Sequence, residues 1–212
     1  MRIDIWSDVI CPWCYLGHRR FATALAQLPD LEVDVRWRAF ELDPHAPPEP
    51  QDLVAVLERK YGVGAYEAMT QRLTALGEAD DIEYRFDRTQ RVNTFDAHRL
   101  IAWSATQPHG QDLVVERLFR AYFTEGANVG DHDTLLAIVD ELAGDRAGAA
   151  VMLDGDAFTD RVRADEATAR EIEVTGVPAF VLAGRLTIPG AQEVDTFVRV
   201  LERAMERFNP QG

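Results

Sequence analysis

Cysteine is scarce in this 212-residue chain, with one residue at position 11 and one at position 14. A small secreted scaffold held by disulfides carries more, so that class is excluded, and so is a second internal disulfide. No apolar run reaches the roughly 18 residues that a membrane span needs. The opening residues Met1-Arg2-Ile3-Asp4-Ile5 lack the apolar stretch and cleavage site of a secretory signal. A cytoplasmic protein without membrane contact is therefore expected. Positive charge is also short, with 22 Lys and Arg against 36 Asp and Glu and a net charge of −14. Without a local basic patch, counter-ion release does not favour nucleic acid. Arg19-Arg20 and Arg117 with Arg120 are too sparse to form such a patch. Internal repeats and low-complexity tracts are absent. An apolar share of 47% and a charged share of 27% exclude disorder as the main state. The length suits one large domain, or one domain with a sizeable insertion.

The pattern along the chain divides into ends and middle. Residues 2–6 alternate and read as a strand. Pro12 suits a first helical turn, and Tyr15, Leu16, Phe21, Leu25 and Leu28 follow at helical spacing until Pro29-Asp30. Leu31, Val33, Val35 and Trp37 alternate with charged residues, which predicts a second strand. Pro44, Pro47, Pro48 and Pro50 then interrupt regular structure. From there to residue 165 no strand pattern stands out. Six helices are expected: near 53–57, 66–76, 97–104 (with Asn93 or Thr94 as cap), 113–123 ending at Gly126, 135–142, and 155–174. Strand character returns in Ala179-Phe180-Val181-Leu182 and Leu186-Thr187-Ile188, joined as a hairpin. Phe197, Val198, Leu201 and Met205 mark a last amphipathic helix. The order is β–α–β, an all-helical block, then β–β–α.

Both cysteines fall in Cys11-Pro12-Trp13-Cys14, at the turn from the first strand into the first helix. The thiolate is the attacking form of cysteine. A helix N-terminus offers unpaired N–H groups and the positive end of the helix dipole, which stabilise it. Cys11 gains most, so it is the expected nucleophile, and Cys14, one turn inside, is the resolving thiol. Pro12 fixes the turn, and Trp13 places a large apolar surface beside the nucleophile for substrate contact. Asp8 opposes the trend, because a nearby carboxylate raises a thiol pKa. His18 lies one turn past Cys14 on the same helix face. It is either a proton shuttle or a solvated surface residue, and the solvated reading is preferred on pattern. A zinc site at Cys11, Cys14 and His18 needs a fourth ligand, and the other histidines are scattered, so no metal is expected. A pair of inert buried cysteines is the remaining bland reading. Pro178 opens a strand, and pattern alone leaves its peptide bond trans.

Longer blocks carry a resemblance. Asp8 to Gly17, Phe40-Glu41-Leu42-Asp43-Pro44, Asn93-Thr94 with Ala97-His98-Arg99-Leu100, Leu118 to Gly126, Gly176 to Val181, and Ile188-Pro189-Gly190-Ala191-Gln192 occur in this order. The sequence resembles the DsbA-like thioredoxin-fold oxidoreductases, and within them the FrnE-like subgroup, over nearly its whole length. The resemblance implies an α/β protein: a thioredoxin fold with a large all-helical insertion between its β–α–β and β–β–α halves. Residues 1–45 and 166–212 would form the thioredoxin-like domain and 46–165 the insertion. It also implies a cis Val177–Pro178 bond beside the cysteine pair, with the Val177 backbone presented to an extended substrate chain. Pro12, Trp13, Val177 and Pro178 are then substrate-binding.

The expected activity is dithiol–disulfide exchange or isomerisation on a protein or small-molecule substrate. The redox-active Cys11–Cys14 pair needs no other cofactor, and an external thiol or oxidant closes the cycle. Glutathione is admitted as reductant or co-substrate. The chain is expected to be a monomer or homodimer that binds no nucleic acid. A neighbouring class, the 2-hydroxychromene-2-carboxylate isomerases and kappa-class glutathione transferases, shares the architecture but typically carries serine where Cys11 stands. It supplies the alternative of a glutathione-dependent isomerase or transferase. A third reading, a non-enzymatic binding module, rests on aromatic residues of the helical block such as Tyr61, Tyr66, Trp103 and Tyr122.

Overall fold

The computed structural model describes residues 1–47 and 49–208. Pro48 and the side chain of Tyr61 lie outside the described residues. The first strand, β1 (Arg2–Ser7), leads through a short turn into α1 (Pro12–Ala26) and on to β2 (Asp34–Ala39). After a helical block the chain returns through β3 (Ala179–Leu182), β4 (Leu186–Pro189) and the final α9 (Val194–Phe208). The strands form one sheet in the order β2-β1-β3-β4. β1 and β2 run parallel, and the pairs β1/β3 and β3/β4 are antiparallel.

Strand alternation gives the sheet two different faces. Ile3, Ile5, Phe180 and Leu182 point into the main core with Leu16, Phe21, Phe197 and Leu201 of α1 and α9. Phe180 and Phe197 meet edge to face at 4.8 Å. Asp4, Trp6, Ala179 and Val181 point the other way, towards α8 (Thr159–Glu171). That side is tied by polar contacts. The Trp6 indole donates to the Asp165 carbonyl at 2.9 Å, and Arg38 bridges Asp4 at 2.6 Å and Asp165 at 3.0 Å.

The middle of the chain holds α2 (Leu53–Tyr61), α3 (Ala65–Ala79), α4 (Phe95–Ser104), α5 (Gly110–Arg120), α6 (His132–Glu141), α7 (Arg146–Asp154) and α8. Among the described residues it contains no strand beyond the single bridge Gln51–Arg91. The block covers the open edge of β2. The Gln111 side-chain amide accepts from the Trp37 N–H at 3.0 Å and donates to its carbonyl at 3.2 Å, which occupies an otherwise unpaired strand edge. None of the described helices is long and apolar enough to cross a membrane.

Several expectations need correction. β2 begins at Asp34, not Leu31, because its partner β1 begins at Arg2 and the register pairs Arg2 with Asp34. The expected helix over 155–174 is shorter and has an unforeseen predecessor. α7 is started by Asp145, whose carboxylate accepts from the Gly148 N–H, and Gly155 follows its last residue. Glycines at 144, 148 and 155 hid its pattern. The expected 113–123 helix is α5 from Gly110, continued by a π-helical turn Ala121–Glu125 that stops at Gly126 with φ +72°. Thr94 holds the cap position of α4 without a side-chain bond. Asn93 does the capping, accepting from the Phe95 N–H at 2.9 Å.

Candidate active site

Cys11 is the N-cap of α1, in extended conformation, with Pro12 in the first turn and no acidic side chain there. Its carbonyl accepts from the Cys14 and Tyr15 N–H groups, and its own N–H donates to the Asp8 carbonyl at 3.0 Å. The sequence thus bends into a tight turn that leaves the Cys11 side chain at the helix's positive end. Cys11 is 4% exposed and Cys14 1%, and both are free thiols. Burial pushes the Cys14 thiol well up from its ordinary value. The neighbouring Cys11 sulfur adds to this, while the Ser7 hydroxyl and the Asp8 backbone draw it back. The burial of the Cys14 sulfur thus works against its thiolate.

The far side of Cys11 is the loop before β3. The Val177–Pro178 peptide bond is cis. The trans reading from local pattern is corrected here, and the expectation from resemblance holds. The reason is tertiary. A Cβ on Gly17 of α1 would lie 3.0 Å from the Pro178 ring, so glycine at 17 lets that proline pack against the active-site helix. The Cys11 Sγ lies 3.6 Å from the Val177 carbonyl, within reach of a weak S–H donation. Trp13 is half-buried beside them, with the Arg72 guanidinium 5.5 Å from its ring centroid.

His18 is not the solvated residue preferred from pattern. It is 5% exposed and joins α1 to α5. Its Nε2 lies 3.1 Å from Asp112 and its Nδ1 3.0 Å from Glu116, the latter an ion-pair contact without hydrogen-bond alignment. Burial works against the charge, but the two carboxylates outweigh it and raise the pKa to about 9. At neutral pH His18 is a buried cation held by two acids. Among the described residues no cluster of three His, Cys, Asp or Glu side chains could hold a metal.

Sequence reasoning read Asp8 only as a charge acting on the thiols and missed Tyr84 and His98, and all three shape or brace the turn. Asp8 is fully buried; its Oδ2 accepts from the Leu42 N–H at 2.7 Å and its Oδ1 lies 3.3 Å from His98 Nε2. It ties the turn to the chain after β2 and to α4. Tyr84 donates to the Pro12 carbonyl at 2.6 Å. Ile82, Tyr84 and Phe86 alternate with charged residues, a pattern that gave no local signal for that contact. On the helical side Tyr15 stacks on Phe119 at 5.0 Å.

A two-stranded βαβ start, a ββα end and a pair of cysteines at a helix N-terminus opposite a cis-proline define a thioredoxin-type fold. The family model of the DSBA-like thioredoxin domain matches residues 2–202, and the chain belongs to that family. An uncharacterized Bacillus subtilis (strain 168) protein, YwbO, is 26% identical over 203 residues, 95% of this chain and 96% of that protein. The crystal structure of the probable DsbA oxidoreductase SCO1869 from Streptomyces coelicolor is similar at a TM-score of 0.90 and 33% identity, over 97% of this chain and 90% of that one. A 2-hydroxychromene-2-carboxylate isomerase shares the fold at a TM-score of 0.69 and 24% identity, over 100% of this chain and 97% of that one.

Proposed function

We propose that the protein catalyses thiol–disulfide exchange on protein or small-molecule substrates, with Cys11 as nucleophile and Cys14 as resolving thiol. The supporting observation is the Cys11 thiol at the N-cap of α1, 3.6 Å from the Val177 carbonyl. In the reducing direction the Cys11 thiolate attacks a substrate disulfide. A Cys11–substrate disulfide forms and one substrate thiolate leaves. Cys14 loses its proton and attacks the Cys11 sulfur. The second substrate thiolate leaves, the substrate has gained two electrons, and the enzyme holds a Cys11–Cys14 disulfide. An external thiol, glutathione among them, returns the dithiol. Oxidation of a substrate dithiol is the same sequence reversed. In isomerisation the first step is followed by attack of a different substrate thiolate on the Cys11–substrate disulfide, which forms the new substrate disulfide and releases the Cys11 thiolate.

Val177 and Pro178 shape the groove in which a substrate chain lies, and Pro12 and Trp13 form its other wall. Residues 1–45 and 166–212 act as the thioredoxin-like unit and 46–165 as the helical insertion covering it, with α8 straddling that boundary. Two cysteines confined to one reactive motif suit a cytoplasm that keeps thiols reduced. His18 serves this site by fixing α1 to α5, and we do not assign it the proton of either cysteine.

The test is a redox titration of the purified protein in glutathione buffers, followed by tryptophan fluorescence. Trp13, between the cysteines, should report a reversible two-electron transition that disappears in Cys11→Ser and in Cys14→Ser. A fluorescence signal that stays flat across the whole range of buffers, with the cysteines still separate thiols by mass, sinks the proposal.

A further inference from the structure

Beside the active-site turn lies an open groove of about 440 Å³ between α3 and the segment that follows it. Thr70, Thr74 and Glu78 line it from α3, and Tyr84, Phe86 and Asp87 from the facing segment. It lies one residue away from the cysteine turn, because Tyr84 in its wall donates to the Pro12 carbonyl. Its volume falls in the range of ligand sites, roughly 300–1,000 Å³. Its open side suits a length of chain better than an enclosed small molecule.

The chemistry of the walls selects a charge. Tyr84 is buried and the half-buried Phe86 stacks on it at 5.0 Å with 12° between their planes, so Phe86 is the ring that meets the groove, and an aromatic ring attracts a cation. Asp87 is neutralised by a two-pronged bond from Arg85, at 3.0 and 2.9 Å. Glu78 is exposed and makes no hydrogen bond or ion pair among the described residues. An unspent carboxylate beside stacked aromatic rings is a place for Lys or Arg. The net charge of −14 adds a weak attraction of the same sign. Arg72, over Trp13, repels a cation from the position next to the nucleophile. The preferred basic residue therefore stands some residues away from the reacting cysteine.

We propose that this groove is a specificity subsite for polypeptide substrates, taking a basic residue that flanks the substrate disulfide while that disulfide meets Cys11. This rests on the exchange activity proposed above and narrows its substrate to polypeptides of local positive charge.

The test uses the full chain and matched peptides, each joined by a disulfide to a chromophoric thiol. The peptides differ only in carrying Lys, Ala or Glu three to five residues from the cysteine. Bis(2-hydroxyethyl) disulfide, too small to reach the groove, reports basal exchange. For an exposed carboxylate and an aromatic pair acting together, the Lys peptide should exceed the Glu peptide in kcat/KM by about three- to tenfold at low salt. Added salt should compress that ratio. Glu78→Gln should shrink it and Glu78→Lys should invert it, with the small disulfide reacting as before. A ratio near one, or a ratio that Glu78→Lys leaves unchanged while the small disulfide still reacts, overturns the subsite. No reaction with any disulfide, the small one included, overturns the exchange activity itself and the subsite with it.

Discussion

The Tyr84 hydroxyl donates a 2.6 Å hydrogen bond to the carbonyl of Pro12, joining the segment after α3 to the turn that carries both cysteines. Gly77 makes this possible. A Cβ there would come within 2.5 Å of the Tyr84 ring, so glycine leaves the notch in α3 that seats the tyrosine. Tyr84 also packs edge to face with Tyr15 at 5.9 Å and with Phe123 at 5.3 Å. Desolvation in this nest, and the nearby Cys11 and Tyr15, raise its phenol pKa far above normal. It stays a neutral donor at every working pH. The helical block is thus a wall for the redox turn as well as a cover for the sheet.

Tyr84→Phe keeps the ring and removes the donor. The Pro12 carbonyl still has its helical partner, so the cost should be about 1 kcal/mol in urea unfolding. Gly77→Ala forces ring or helix to shift and should cost about 2 kcal/mol. Both should displace the fluorescence midpoint of the redox titration, because the turn they brace carries Cys11. An unmoved midpoint in both variants would show that Tyr84 braces the fold without setting the turn.

Much of this architecture was legible in the sequence, for identifiable reasons. Period-two alternation marked β1, and the apolar run with its turn residues marked the β3–β4 hairpin. Cys11-Pro12 marked the start of α1 because a proline there loses no hydrogen bond. What stayed hidden was set by distant contacts. α7 was masked by glycines, and the start of β2 depends on where its parallel partner β1 begins. His18 reads as a surface residue until α5 brings Asp112 and Glu116 against it. Tyr84 with Pro12 and Asp8 with His98 are pairings between segments far apart in the chain, which no local window contains, and the notch at Gly77 shows only once the chain after α3 folds back on it.

The His18 cluster predicts how stability changes with pH. A folded pKa of about 9 against the ordinary 6.5 means that folding favours the protonated ring. The stabilisation is fully present below about pH 6.5 and is lost as pH rises to about 9. Full transfer of the shift would amount to about 3 kcal/mol. Asp112 is 64% exposed, so water screens its share, and about 1–2 kcal/mol is expected. Partial desolvation would raise the carboxyl groups of Asp112 and Glu116, but His18 outweighs it and draws both below their usual range. Their share is lost only on the acid side, as they protonate. His18→Gln should therefore lower stability at pH 7 by that amount and flatten the decline between pH 7 and 9. A decline of the same slope in wild type and variant would place its origin elsewhere.

Asp8 and His98 form a buried pair beneath the same turn, with Asp8 also holding the Leu42 N–H. Asp8 Oδ1 and His98 Nε2 face each other at 3.3 Å without hydrogen-bond alignment, so removing one leaves a buried polar group without its neighbour, at about 1–3 kcal/mol. Asp8→Asn and His98→Gln should each approach that loss, and the double variant should cost much less than their sum. Additive losses in denaturant unfolding would mean that the two side chains do not act as a pair.

The inequality of the two sulfurs gives the most direct chemical prediction. Cys11 stands at the helix's positive end beside the Val177 carbonyl, while Cys14 is 1% exposed and its thiol is pushed well up by burial. Alkylation of the folded, reduced protein at pH 7 should label Cys11 first, and Cys14 should react only after unfolding. The same asymmetry sets the fate of a substrate. With Cys14→Ser no internal thiol can attack the Cys11 mixed disulfide, so the adduct should accumulate and be visible as an intact mass. With Cys11→Ser no adduct should form, because the remaining thiol is buried and protonated. Each substitution removes one small sulfur from a close-packed turn, so thermal unfolding should confirm that both variants fold before the adducts are compared. An adduct located on Cys14, or equal adducts in the two variants, reverses the order of attack and would return Cys11 to the part of a packing residue.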